Sequence, residues 1–223
     1  MVVQADFSNA ARPKKADVMQ FYQGLFDKLK HLDIAILVNN AGVMYTGRMD
    51  AFGPEAPRWK EMLDVNVMHV TMMTSLFKDK LVARQAEGPA KSALINVSSA
   101  MGYLQGSKGA AVYSSTKSFV TYYTTALGWE LRGQLDVQCL TPNLTRTGLL
   151  QDITRKANPL AAISAMDCAR GALRDLGHGG MQGLAATAGD FRHDVQIPPY
   201  RVLSEIPVFH HVMGFFLDKF FQH

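Results

Sequence analysis

Residues 34–42 read IAILVNNAG, an apolar run that ends in a polar turn. The run Ile34 to Val38 is rich in β-branched side chains and has no polar residue, which predicts a strand buried on both faces. The following Asn39-Asn40-Ala41-Gly42 favours a sharp turn. This stretch therefore predicts a central strand with a polar cluster at its carboxyl end.

Similar apolar runs alternate along the chain with longer segments of helical periodicity. The predicted strands are residues 2–5, 34–38, 93–97, 135–140 and 183–187. The predicted helices are residues 16–32, 56–82, 112–131 and 159–176. Buried strands separated by helices indicate βαβ units, so we predict an α/β fold with a doubly wound parallel sheet, in a single domain of residues 1–223.

Polar clusters follow four of the predicted strands. They are Asp6, Asn39-Asn40, Ser98-Ser99 and the segment from Thr141 to Thr147. In open parallel sheets, ligands bind beyond the carboxyl ends of the strands. We therefore expect these distant parts of the chain to form one site.

Composition excludes several classes of function. The 223 residues are 48% hydrophobic, and the net charge of +4 comes from interspersed acidic and basic residues, which gives no basic stripe for nucleic acid. Neither Cys139 nor Cys168 has metal-ligand spacing, so we predict two buried thiols, no metal site and an intracellular setting. No signal peptide and no membrane-spanning segment are predicted.

Tyr113 and Lys117 lie four residues apart in a predicted helix, so their side chains share one face. A phenol with a pKa of about 10 is a poor acid or base at neutral pH. A neighbouring ammonium favours the phenolate and lowers that pKa. The pair is therefore a candidate proton-transfer device, although this spacing alone is common in ordinary amphipathic helices.

Several motifs in register resemble the short-chain dehydrogenase/reductase family, which implies a Rossmann-like sheet. The matching residues are Asn39-Asn40-Ala41-Gly42, Asn66, Ser99, Tyr113 with Lys117, and Pro142. The resemblance implies that Tyr113 transfers a proton to or from the substrate oxygen, which Ser99 orients. It also implies that Lys117 lowers the pKa of Tyr113 and contacts the nicotinamide ribose, and that Asn66 holds a water linking Lys117 to solvent.

The resemblance extends to cofactor and substrate. The cofactor site would be lined by Asn40, Ala41, Gly42, Tyr113, Lys117, Pro142 and Thr145. Asp6 would lie near the adenine, and Thr147 would be a further contact. The sequences around Asp6 and from Leu37 to Met44 are similar to those of the branch of very-long-chain 3-oxoacyl-CoA reductases and 17-beta-hydroxysteroid dehydrogenases. This branch implies NADP(H), with NAD(H) possible, a hydrophobic ketone or secondary alcohol as substrate, and location at the endoplasmic reticulum or otherwise in the cytoplasm.

Three features depart from the family pattern. Ser99 lies one residue farther from Tyr113 than usual, and Ser98 is its rival as the catalytic hydroxyl. Asn143 stands where a glycine often follows Pro142, and asparagine tolerates left-handed backbone well enough to preserve that turn. The family's glycine-rich turn and first two strands have no counterpart before Asp6. We therefore expect an N-terminally truncated domain with one exposed strand edge.

Two further questions stay open from the sequence. The alternative to an enzyme is a non-catalytic dehydrogenase-like module that dimerises or binds a partner, and a homodimer is expected in either case through the helices after Asn66 and Tyr113. The apolar segment from Leu203 to Phe216 is suitable for lining a hydrophobic pocket or for ordinary core packing.

Overall fold

The computed structural model describes residues 1–10, 15–47, 56–87, 91–104, 109–150, 162–178 and 186–203. Its α-helices are α1 (Lys15–Leu29), α2 (Ala56–Leu63), α3 (His69–Ala86), α4 (Ala111–Glu130), α5 (Ala165–Asp175), α6 (Phe191–Asp194) and α7 (Ile197–Leu203). Its strands are β1 (Ile36–Asn39), β2 (Ala93–Val97), β3 (Asp136–Leu140), β4 (Thr145–Arg146), β5 (Ile163–Ser164) and β6 (Ala186–Thr187).

Four of the strands form a parallel sheet in the order β1-β2-β3-β6. The register places Val38 opposite Ile95, and Ile95 opposite Gln138. β4 and β5 form a separate parallel pair. The sequence did not predict this pair, because two-residue strands have no measurable periodicity.

Helices cover both faces of the sheet, as expected for a doubly wound fold. On one face, Leu94 packs with Leu81 of α3 and Leu127 of α4. On the other face, Ile95 packs with Cys168 and Ala172 of α5. Consecutive residues of β2 thus face opposite layers, which explains why this strand is apolar throughout. The predicted α/β doubly wound fold is confirmed.

β1 lies at the edge of this sheet, and one of its faces is uncovered. Ile36 and Val38 are 41% and 49% exposed, whereas the neighbouring Ile95 is 2% exposed. The prediction that this strand is buried on both faces is therefore wrong for the described structure, and the expected exposed strand edge is present. The predicted strand at residues 2–5 is also wrong: Val2 is 95% exposed, and the segment has no strand beside it to pair with among the described ranges.

The remaining predicted elements are present, some with shifted boundaries, and the strand predicted at residues 183–187 is described only as β6, Ala186–Thr187. The long helical region expected at residues 56–82 runs from Ala56 to Ala86, with a π-helical turn at Asp64–Met68. The helix expected from residue 159 begins at Ala165, after β5, and residues 151–161 lie outside the described part. The apolar segment beyond Leu203, proposed to line a pocket, also lies outside it.

Within the described ranges, no helix combines the length and the apolar character that a bilayer span requires.

Candidate active site

The proposed site residues meet where the parallel strands end. Asn40, Ala41 and Gly42 follow β1, and Ser99 follows β2. α4 begins at Ala111 and carries Tyr113 and Lys117 one turn apart. The carboxyl ends of two strands and the first turns of one helix therefore form the candidate site.

The Ser99 hydroxyl lies close enough to the Tyr113 phenol to lower the pKa of that phenol. The Ser99 Oγ accepts the backbone N–H of Met101 at 3.2 Å, which caps the short 3₁₀ helix Ala100–Gly102. This bond fixes the hydroxyl relative to the backbone. The structure thus brings together the two groups that sequence reasoning assigned to the substrate oxygen.

Ser98, the rival of Ser99, has a structural role. Its hydroxyl donates to the Lys117 carbonyl oxygen at 2.7 Å and bonds the Thr121 hydroxyl at 2.7 Å. The side chain is 2% exposed. Both partners belong to α4, so Ser98 attaches the end of β2 to that helix. The geometry favours Ser99 as the hydroxyl available to a substrate.

Tyr113 lies in an apolar setting, 6% exposed and packed with Trp59 and Met62. Burial raises the pKa of Tyr113, and the nearby Ser99 hydroxyl offsets this rise only in part. This net direction differs from the predicted lowering by Lys117. The reason is that removing the phenolate from water costs more than one neutral donor returns. Tyr113 is therefore protonated at neutral pH and is suited to donate a proton.

Lys117 is an almost completely buried amine. Its Nζ donates to the Val97 carbonyl oxygen at 2.9 Å and lies 5.8 Å from the centroid of the Tyr113 ring. Burial lowers the pKa of Lys117 from 10.5 to about 8, and a Coulombic interaction with Cys139 opposes this shift. A lysine with this pKa exchanges its proton far more readily near neutral pH than an exposed lysine does.

Asn66 connects the turn after β1 to α4. Its side-chain oxygen accepts from the Val43 N–H at 2.9 Å, and its Nδ2 donates to the Val43 carbonyl at 2.9 Å and to the Thr116 hydroxyl at 3.1 Å. The residue lies in the π-helical turn Asp64–Met68, an irregularity often found at functional sites. The three bonds give Asn66 a positioning role, and its predicted role in holding a water stays a prediction.

Gly42 lies directly beside the buried amine. A Cβ built on Gly42 would lie 3.4 Å from the Asn66 Oδ1 and 3.5 Å from the Lys117 Nζ. The backbone after β1 therefore passes close to an amine and an amide oxygen. Such a donor and acceptor fit the hydroxyl groups of a nicotinamide ribose.

The other predicted cofactor residues include Asp6, Pro142 and Thr145, and their role stays a prediction. The exposed Asp6 accepts from the Ser8 N–H at 3.0 Å and from its hydroxyl at 2.6 Å. The Pro142 carbonyl accepts the Ala100 N–H at 2.9 Å, next to Ser99. Thr145 is buried, and its hydroxyl donates to the Asn143 carbonyl at 3.3 Å. Pro142 is thus joined to the serine turn, whereas Asp6 and Thr145 are fixed by local contacts.

Sequence reasoning missed a buried polar ladder behind the site. Asn39 donates to the Thr74 hydroxyl at 3.1 Å and to the Asn96 Oδ1 at 2.8 Å, and Asn96 donates to the Thr124 hydroxyl at 3.0 Å. The ladder links β1 and β2 to α3 and α4. Its signal in the sequence was the single polar residue Asn96 within an apolar strand, because a fully buried amide needs partners.

The two cysteines are buried thiols, as predicted. Burial raises the pKa of Cys139 to about 12 and the pKa of Cys168 to about 11. Both thiols therefore stay protonated at neutral pH, and neither is poised as a nucleophile or metal ligand.

Comparison with known families decides the assignment. A family model described as short chain dehydrogenase matches residues 2–158. The chain belongs to the short-chain dehydrogenase family. A solved structure of 3-ketoacyl-(acyl-carrier-protein) reductase from Brucella melitensis, complexed with NADH, is 28% identical with a TM-score of 0.60, covering 77% of this chain and 68% of that one.

Curated relatives of this dehydrogenase support the branch indicated by the sequence. A putative steroid dehydrogenase 4 of Caenorhabditis elegans is 26% identical over 191 residues, which is 83% of this chain and 66% of the relative. A human very-long-chain 3-oxoacyl-CoA reductase is 32% identical over 136 residues, 57% of this chain and 41% of the relative. The match thus spans less than two thirds of either relative.

The lowered pKa of Lys117 predicts a pH-dependent stability. Between about 8 and 10.5 the unfolded chain binds the Lys117 proton and the folded dehydrogenase does not, so the free energy of unfolding rises with pH in this window. The pKa of Cys139, about 12, keeps the neighbouring thiol neutral there. Urea unfolding of wild type and of Lys117→Met measures the difference between their free energies of unfolding. Above pH 8, this difference should shift in favour of wild type.

Lys28→Met, which removes the amine of an exposed lysine of α1, is the matched control for the loss of a lysine. If the free energy difference between wild type and Lys117→Met does not change with pH, the burial of a titrating amine at position 117 is contradicted.

Proposed function

We propose that this dehydrogenase is an NAD(P)-dependent oxidoreductase that reduces a ketone, or oxidises a secondary alcohol, of a hydrophobic substrate. The observation that carries the proposal is the placement of the Ser99 hydroxyl next to Tyr113, whose ring centroid lies 5.8 Å from the buried Nζ of Lys117. A carbonyl undergoing reduction develops negative charge on its oxygen, and two aimed hydroxyl donors stabilise that charge.

Each residue has a separate task in this mechanism. Ser99 donates a hydrogen bond to the substrate oxygen, and Tyr113 donates the proton as the charge develops. Lys117 lies behind the tyrosine ring and supplies positive charge that favours the transient phenolate. Asn66 holds the Val43 backbone and so fixes the turn that contains Gly42. In oxidation, the same groups act in reverse.

The proposed cofactor is NADP(H), with NAD(H) as the alternative. A bound nicotinamide cofactor would supply or accept the hydride. Lys117 and Gly42 would hold its ribose, and Asn40, Ala41, Pro142 and Thr145 would form the walls of the cleft, with Asp6 near the adenine. The described residues contain no glycine-rich strand-to-helix turn for the diphosphate, so the fit supports the nicotinamide half of the cofactor.

The proposed substrate class is a 3-oxoacyl-CoA or a steroid, as the names of the relatives suggest. The apolar cluster of Trp59 and Met62 against Tyr113, with Val43 and Met101 packed on it, supports a substrate whose reacting carbon carries apolar groups. Location at the endoplasmic reticulum is proposed on the same resemblance.

The test compares cofactor binding and turnover in two proteins. One is the chain of residues 1–223, and the other is that chain extended at its N-terminus by the strand, glycine-rich turn and helix of a family relative. NADPH fluorescence reports binding, and loss of nicotinamide absorbance with a long-chain 3-oxoacyl-CoA or a ketosteroid reports turnover. Binding and turnover in the extended protein are expected. If it binds the cofactor and reduces no hydrophobic ketone, the proposed activity is wrong.

A second candidate function, association without catalysis, is favoured by an exposed aromatic stripe on α4. Phe119, Tyr122 and Trp129 are 41%, 77% and 60% exposed. Phe119 and Tyr122 are three residues apart, Tyr122 and Trp129 are seven apart, and the exposed Ala126 lies between the last two on the same face. Aromatic residues are enriched in protein interfaces. We propose that this stripe forms a homodimer interface, which is compatible with either function.

Charge placed in the stripe should separate such a dimer. We expect Trp129→Glu to raise the dimer dissociation constant at least about 30-fold, since losing an aromatic anchor costs about 2 kcal/mol or more. Sedimentation velocity measures the constant. Met19→Glu, at a methionine of α1 that is 52% exposed, is the control and should leave it unchanged. An unaltered dimer in Trp129→Glu would exclude this face.

A further inference from the structure

The turn after β3 is held by a junction fifty residues later in the chain. The backbone N–H of Asn143 donates to the Nδ1 of His193 at 3.2 Å, and its side-chain Nδ2 donates to the Oε1 of Gln196 at 2.6 Å. His193 and Asp194 are the last two residues of α6, and Gln196 immediately precedes α7. Two independent hydrogen bonds thus connect one turn residue to this α6–α7 junction.

These contacts explain how Asn143 replaces the expected glycine. Among the described residues, only glycines have positive φ, so Asn143 does not use left-handed backbone, contrary to the expectation from sequence. Its amide side chain instead provides a donor that glycine lacks. Asn143 therefore contributes a hydrogen bond at this turn and not a left-handed backbone conformation.

The same turn continues directly to the catalytic serine. The carbonyl of Pro142, the residue before Asn143, accepts the N–H of Ala100, the residue after Ser99. Ile197, the first residue of α7, is fully buried in a cluster with Ala100. A polar path and an apolar contact therefore both run from the α6–α7 junction to the backbone that carries the Ser99 hydroxyl.

We infer that His193 and Gln196 are positioning residues, which fix the Pro142–Asn143 turn and through it the Ser99 hydroxyl against Tyr113. His193 performs this task with an unprotonated Nδ1, because that nitrogen accepts a backbone N–H. The residue is fully buried. The catalytic part of this inference rests on the proposed function, whereas the order of the turn does not.

Gln196 gives the sharper test, because its side chain is only partly buried. Gln196→Met removes the acceptor for Asn143, whereas Gln196→Glu keeps an acceptor oxygen at the same reach. Both changes remove the Nε2 donor to the Arg192 carbonyl at 2.7 Å, so the difference between the two variants reports the acceptor alone. Gln23→Met, at an exposed glutamine of α1, is the matched control. Amide hydrogen exchange is measured at Asn143 and Ala100, and kcat and KM are measured in the N-terminally extended protein.

We expect Gln196→Met to speed exchange at both amides and to lower kcat about tenfold, which corresponds to about 1.4 kcal/mol, with KM little changed. Gln196→Glu, which keeps the acceptor, should be closer to wild type than Gln196→Met in both quantities. Unchanged exchange at Ala100 in Gln196→Met overturns the inference. Faster exchange with full turnover overturns the catalytic part.

The turnover of the unaltered extended protein distinguishes failure of the proposed function from failure of this inference. If the unaltered extended protein has no turnover, the proposed function fails, and hydrogen exchange alone then decides whether the junction orders the serine turn. His193→Asn provides an independent check, because its Oδ1 can replace the Nδ1 acceptor, whereas His193→Leu cannot accept. Equal exchange at Asn143 in these two variants would overturn the role of His193.

Discussion

Tyr113→Phe should lower the kcat for ketone reduction about 10²–10⁴-fold, the usual contribution of a positioned general acid. The phenyl ring preserves the packing against Trp59 and Met62 and removes only the hydroxyl beside Ser99. Cofactor affinity should therefore stay close to wild type. Steady-state turnover and NADPH fluorescence, measured on the N-terminally extended protein, separate these two effects.

The same helix offers a matched control. Tyr122→Phe removes a hydroxyl from a residue that is 77% exposed, so it should leave turnover unchanged. Full activity in Tyr113→Phe would exclude Tyr113 as the proton donor. If both variants lose activity, the cause is α4 itself or the dimer interface proposed on its outer face.

The direction of the Tyr113 pKa also predicts how the reaction depends on pH. Because burial raises the pKa of Tyr113, the acid form persists well above neutral pH. Reduction needs this acid form, and oxidation needs the phenolate. Reduction should therefore be favoured at neutral pH, and oxidation should rise toward alkaline pH.

Much of the fold was readable from the sequence because its central strands and long helices have strong periodicity. The strand predicted at residues 93–97 matches β2, and the helix predicted at residues 112–131 matches α4 within one residue at each end. The β4–β5 pair and the short helices α6 and α7 were missed, because their stability comes from tertiary contacts and not from local pattern.

The site was predictable to the extent that it depends on strand ends and helix spacing. Ser99, Tyr113 and Lys117 meet as expected, because parallel strands deliver their carboxyl ends to one edge. The upward shift in the pKa of Tyr113 could not be foreseen, because it depends on burial by residues such as Trp59. The contact between Asn143 and His193 spans fifty residues and leaves no periodic signal.

Gly171→Ala should destabilise the fold strongly, although it adds only one methyl group. A Cβ built on Gly171 would lie 1.6 Å from the carbonyl oxygen of Gly189, which is backbone and cannot move aside as a side chain would. Gly189 itself has a φ of +77°, and its amide is held by the Thr187 hydroxyl at 3.0 Å. We expect a loss of at least about 3 kcal/mol in the free energy of unfolding, measured by urea denaturation.

Gly24→Ala isolates this steric effect from helix propensity. Gly24 lies in α1 and Gly171 in α5, but a Cβ on Gly24 meets nothing within 4 Å. Alanine there should stabilise the protein by about 1 kcal/mol, the usual gain in helix propensity. Similar stabilities for the two variants would contradict the close approach of α5 to Gly189.

The consequence of Gly171→Ala should extend from stability to catalysis. Gly189 precedes Asp190, whose carboxylate caps α6 by accepting the Arg192 N–H, and α6 contains His193. Pushing Gly189 away from α5 therefore displaces the support of Asn143 and, through Pro142, of the serine turn. Activity should be measured well below the unfolding midpoint of the Gly171→Ala protein. Full activity there would show that the α6–α7 junction can move without disturbing Ser99. That result would contradict the proposed role of this junction in positioning Ser99.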